Sequence, residues 1–157
     1  MTLFASRAAE KLRAQHSVAN TITVTLVADK YANHSGQYKF GMSVNLPNAT
    51  ADTTTFSSVS KMVVDELFDG SKTYKKAWTM LTGIVPESEI QAELFSQTGY
   101  SERQHKLMES MDRVNARFGK QTMAIAGAGV GTDQVWRMKQ EHLSSRYTTR
   151  WDELMEV

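Results

Sequence analysis

The chain has 157 residues, of which 41% are hydrophobic and 22% charged, with a formal net charge of +1, four histidines and no cysteine. That length and apolar content fit one domain, or one domain with an appendage. No run approaches the roughly 20 apolar residues of a membrane span, and the N-terminus lacks the apolar stretch of a secretory leader. His16, His34, His105 and His142 are too scattered, without any thiolate, to hold a structural metal, so a cytoplasmic, membrane-free protein without disulfides is expected.

Near-neutrality hides an asymmetry. Residues 1–84 hold nine Lys/Arg against six Asp/Glu, and residues 85–157 hold nine against eleven. Neither balance compels nucleic-acid binding, so the placement of the charges has to decide.

In chain order, residues 3–15 place Phe4, Ala8 and Leu12 at i, i+4, i+8 beside Ala5 and Ala9, the stripe of an amphipathic helix. Residues 21–27 alternate Ile22, Val24 and Leu26 with threonines, which predicts a strand. Asn33, Ser35 and Gly36 supply turn chemistry. Tyr38, Phe40, Met42, Val44 and Leu46 then alternate with Lys39, Gly41, Ser43 and Asn45, a second strand expected to end at Pro47-Asn48. A second helix over 54–68 carries Phe56, Val59, Val63 and Leu67 inward, with Asp52 or Thr53 as N-cap and Asp69-Gly70 closing it. Residues 73–82, TYKKAWTMLT, read as a third strand of poor alternation.

The order αββαβ predicts an α+β fold. Two helices on one face of an antiparallel sheet are most simply accommodated by βαββαβ, so a first strand is expected ahead of Met1; a complete three-stranded α+β domain is the alternative. Residues 85–100, with Pro86, Ser88, Gly99 and the acids Glu87, Glu89 and Glu93 but no base, read as a linker. Ser101-Glu102-Arg103-Gln104 has capping-box form and opens a third helix over about 102–118, with Leu107, Met111, Val114 and Phe118 at helical spacing. Residues 122–126 read as a short strand, 127–131 as a glycine-rich loop and 135–143 as a last helix. The apolar content of 101–157 is thin for independent stability, so this tail is expected to rest on a partner or on a larger body.

Few constellations suggest catalysis. GAGVGTD at 127–133 lacks the Lys and the third Gly of a phosphate-binding loop and reads as a turn. Asp65, Glu66 and Asp69 read as a solvated helix end, no set of carboxylates suits divalent metals, and no Ser/His/Asp arrangement is legible. Lysines are better placed. Lys72, Lys75 and Lys76 flank the third strand and Lys39 lies on the polar face of the second, where Ser43, Asn45 and Thr73 could join them against phosphates. Lysines that protect edge strands from aggregation are the equal alternative. Bases also interleave with aromatics in residues 136–139 and 144–151, a mixture that suits a nucleic acid or a protein surface.

RAAEKLR at 7–13, TYKKAWTMLTGI at 73–84, MDRVNARFGKQT at 111–122 and WRMKQEHLSSRYTTRWDEL at 136–154 together resemble the C-terminal part of the UmuC family of Y-family translesion DNA polymerases of the bacterial SOS response. The likeness runs almost end to end. It implies a little-finger domain over 1–84, a four-stranded antiparallel sheet backed by two helices with its first strand missing, then a linker over 85–100 and a C-terminal extension over 101–157. The family lays that sheet on primer-template DNA, which makes Lys39, Lys75 and Lys76 the candidate backbone contacts. Trp78 departs from the glycine common in the family's last strand, and Ser145 stands where relatives often have proline.

The magnesium-dependent catalytic palm would precede Met1, so this stretch alone is expected to need no cofactor and to be inactive as a polymerase. The extension would dock the UmuD′ dimer and RecA. Gln91-Ala92-Glu93-Leu94-Phe95 resembles the Q-x-x-L-F peptide by which bacterial polymerases hold the β sliding clamp, with Leu94 and Phe95 in an apolar pocket and Gln91 at its rim. Burying that pair offers roughly 3–6 kcal/mol before ordering costs. The runner-up class is a non-catalytic adaptor that binds the clamp and DNA.

Overall fold

A computed structural model describes residues 1–31, 38–89, 102–129 and 143–154. Its elements are α1 (Thr2–Ala14), β1 (Ser17–Ala28), β2 (Lys39–Thr50), α2 (Thr53–Leu67), β3 (Tyr74–Pro86) and α3 (Glu102–Phe118), with short 3-10 turns at Glu87–Glu89, Ala126–Ala128 and Trp151–Glu153. The strands form one antiparallel sheet in the order β2-β1-β3. No helix among the described residues is long and apolar enough to cross a membrane.

The alternation in β1 sorts the two faces. Val18, Ile22 and Val24 point to one side and are fully buried against Ala5, Ala9 and Leu12 of α1 and Phe56 and Val63 of α2. Both helices therefore cover the same face, and the small residues of α1 let its axis approach closely. Asp52 fixes the start of α2, its carboxylate accepting from the Thr55 amide at 2.8 Å and the Thr55 hydroxyl at 2.7 Å. This cap satisfies one of the helix's orphan donors and places a negative charge at its positive end.

Three departures from the sequence reading have local causes. β2 continues beyond Pro47, because Thr21 pairs with Asn45 while Ala19 pairs with Thr50, so the extra residues of β2 bulge out around the proline on an edge strand. β3 runs on through residues that read as linker, since Val85 pairs with Val18 and packs against the core. Along that strand Gly83, opposite Asn20, has φ +64, and a Cβ there would sit 1.9 Å from the Asn20 amide oxygen. Only glycine fits. Residues 122–126 form no strand, because the Asn115 side chain captures the Met123 backbone, donating to its carbonyl at 2.9 Å and accepting from its amide at 2.8 Å. The last helix expected over 135–143 falls almost wholly outside the described residues.

Arg13 joins the helical layer to the C-terminal segment. Its Nε and Nη2 donate to the Asp112 carboxylate at 2.6 and 2.8 Å, while Nη1 donates to the Ala51 carbonyl at 2.7 Å and the Thr53 hydroxyl at 2.9 Å. The Arg13 side chain is 8% exposed, so a two-pronged carboxylate contact is what makes its burial tolerable. α3 adds one buried apolar side chain, Met108, and a contact of 3.3 Å between His105 Nδ1 and Glu87.

Two substitutions in α2 should move stability in opposite directions. Phe56, fully buried, should cost about 3–5 kcal/mol when cut to Ala. Ser60 is equally buried, and its hydroxyl has no partner among the described residues, so Ser60→Ala should be neutral or stabilising. Urea midpoints at constant slope check both.

Candidate nucleic-acid interface

The sheet face away from the helices is assembled in rows across three strands. Cα pairing aligns Lys39 with Val27 and Lys76, Gly41 with Thr25 and Trp78, Ser43 with Thr23 and Met80, and Asn45 with Thr21 and Thr82. None of these residues is acidic. The Thr23 and Ser43 hydroxyls are 2.7 Å apart, and the Thr21 hydroxyl is 2.9 Å from the Asn45 amide oxygen. One end of the face is cationic, its middle carries an indole and a thioether, and the other end is neutral and polar.

Trp78 is 38% exposed and Met80 49%. Lys39 Nζ lies 5.3 Å from the centre of the Trp78 ring. Because β1 separates their strands, the two side chains must meet above the central strand. In the same row as Trp78, on the other side of Thr25, Gly41 keeps the face low, since a Cβ there would come within 3.0 Å of the Thr25 hydroxyl oxygen.

The lysines expected to touch a nucleic-acid backbone occupy different situations. Lys39 and Lys76 belong to the end row of the open face and are exposed, and Lys76 makes no ion pair among the described residues. Lys75 stands at a bulge, where Val27 pairs with Lys76 but Ala28 pairs with Tyr74, and its ammonium lies 2.8 Å from Asp29 and 5.9 Å from the Tyr31 ring centre. The ammonium side of this pair is exposed, while the Asp29 side chain is 16% exposed and also accepts from the Tyr31 amide at 2.9 Å. Lys72 is more firmly held, at 2.8 Å from Asp69 and 4.7 Å from the Phe40 ring centre. Gln91, Leu94 and Phe95 lie outside the described residues. Among the described residues no group of three His, Asp or Glu side chains converges as a metal site would require. The sequence reading missed the contribution of β1, although Thr21, Thr23 and Thr25 were its visible polar alternates.

Residues 1–94 match the family model described as the impB/mucB/samB family C-terminal domain. The chain belongs to the impB/mucB/samB family. Its sheet and two helices are the little finger of that family, and residues 105–157 match a domain of unknown function, DUF4113. The Protein UmuC of Salmonella typhimurium is 34% identical over 154 residues, covering 98% of this chain and 36% of that protein. Protein SamB of Salmonella typhimurium is 33% identical over 150 residues, and Protein MucB of Escherichia coli 32% over 151, each match covering 96% of this chain and 35% of the relative. The chain thus spans about a third of the length of these curated relatives.

The Asp69–Lys72 turn that leads into β3 has a titration signature. The Lys72 ammonium, then the Ser71 hydroxyl and amide, hold the Asp69 carboxyl well below the usual carboxylate range. A depressed carboxyl stabilises the fold fully above its unfolded pKa, and this contribution is lost as the pH falls through the lower folded value. Carboxyl 13C shifts should therefore show Asp69 titrating below the ordinary value of about 3.9, and Lys72→Met should raise that midpoint.

Proposed function

We propose that this chain is the DNA-gripping, partner-docking C-terminal region of an error-prone, SOS-induced translesion DNA polymerase of the UmuC kind, the catalytic subunit of DNA polymerase V, acting in the cytoplasm. The observation that carries the reading is the acid-free open face of the little-finger sheet, with Lys39 and Lys76 exposed at one end and hydroxyl and amide side chains along it. Such a surface offers donors and positive charge to phosphates and carries no sequence-reading fork, which suits grip on primer-template DNA whatever its sequence. Lys75 joins it by trading Asp29 for a phosphate. Magnesium-dependent nucleotidyl transfer belongs to the rest of such a polymerase, and no step of it is assigned to the residues described here.

Partner docking falls to the remainder of the chain. Gln91, Leu94 and Phe95 form the β-clamp peptide of this reading, and the C-terminal extension meets the UmuD′ dimer and RecA. The thin burial of α3, with Met108 its only buried residue among the described ones, supports an extension built to complete its packing on other proteins.

Two measurements test the proposal. Affinity for primer-template DNA should fall steeply with salt, and replacing both Lys39 and Lys76 by Ala should flatten the slope of log affinity against log salt by about 1–2; salt-independent binding would overturn the grip. Leu94→Ala with Phe95→Ala should remove binding to the β clamp while leaving the urea midpoint unchanged, and unaltered clamp affinity would return the pair to another role.

A further inference from the structure

We infer that Trp78 is a stacking platform for an unpaired nucleobase, flanked by Lys39 and Lys76 as holders of the adjoining phosphates. This deepens the nucleic-acid reading of the open sheet face and rests on it.

Trp78 has no part in the core. Its alternation partner across β1 is Thr25, on the side away from both helices, and the large ring stays 38% exposed beside the half-exposed Met80. Contact with duplex phosphates gains little from an indole, because paired and stacked bases hide their faces. An unpaired base presents an aromatic face, and stacking on a protein ring is the usual sequence-tolerant way of holding one. The charge pattern agrees. The row beside Trp78 carries a lysine on each outer strand, and none of the sheet residues aligned across the face is acidic.

The contact between Lys39 and the ring, at 5.3 Å, fits this use. A cation over an exposed aromatic ring is weakly held, whereas its hydrogen bond to a phosphate is charge-assisted and stronger. An arriving strand can therefore draw the ammonium off the ring as its base takes the vacated face. With no nucleic acid present, the same ammonium covers the indole and lessens the exposure of its apolar surface.

The test compares labelled oligothymidylate with an abasic strand of equal length, by fluorescence anisotropy on the whole 157-residue chain across a salt series. The expected result is about tenfold tighter binding of the base-bearing strand. Trp78→Leu should bring the two affinities together without changing the abasic strand or the salt slope, and Trp78→Tyr should restore the preference. Equal, salt-sensitive binding of both strands by the unaltered chain overturns the platform and leaves phosphate grip standing. A preference that survives Trp78→Leu also overturns it, by assigning stacking to another aromatic. If Trp78→Leu instead splits a dimer in sedimentation with the preference intact, the patch pairs two copies and the inference is wrong. Failure of both strands to bind at low salt defeats the nucleic-acid reading itself.

Discussion

The organisation of this molecule depends on β1 being hydrogen-bonded along both edges. A central strand cannot rotate to suit one neighbour without breaking its ladder with the other, so its period-two alternation is imposed on the whole sheet. Val18, Ile22 and Val24 then commit one face to two helices, and Thr21, Thr23 and Thr25 commit the other to solvent or a ligand. The packed core and the open polar face are separated by the thickness of one sheet. The residues of the open face can change with little effect on the core, a freedom that suits a domain shared by relatives about one-third identical.

That separation explains how a bulky aromatic can sit on the open face. In the core, an indole would displace neighbours already packed around Phe56 and Ile22; on the far side it pairs across to a threonine and has a lysine over its ring. The lysines also differ in kind. Those engaged with Asp29 or Asp69 brace the turns at the end of the sheet, while those of the end row are held by no carboxylate among the described residues. Net charge does not distinguish the two sets.

What could be read in advance was what the local pattern determines. The threonine alternation of β1, the capped stripe of α2 and the capping-box start of α3 each carry their signal within a few residues, and all three elements form. Features set by distant partners were not legible. The bulge that separates Lys75 from the alternation of Lys76 depends on the pairing partner, not on the TYKK letters. Pro47 looked terminal because its place on a bulged edge was invisible, and residues 122–126 lost their strand to a side chain on α3. The clamp-like peptide was legible only through resemblance, since its five letters have no distinctive periodicity.

Arg13 and Asp112 are separated by 99 positions in sequence, yet the guanidinium between them also serves the first turn of α2. During synthesis, the sheet and both helices emerge long before the carboxylate that neutralises this cation. Until then, a solvated guanidinium occupies a position that the finished protein encloses, and water must stand in for Asp112. The N-terminal layer can therefore assemble early but seals last, when the closing of a very long loop brings in its counterion.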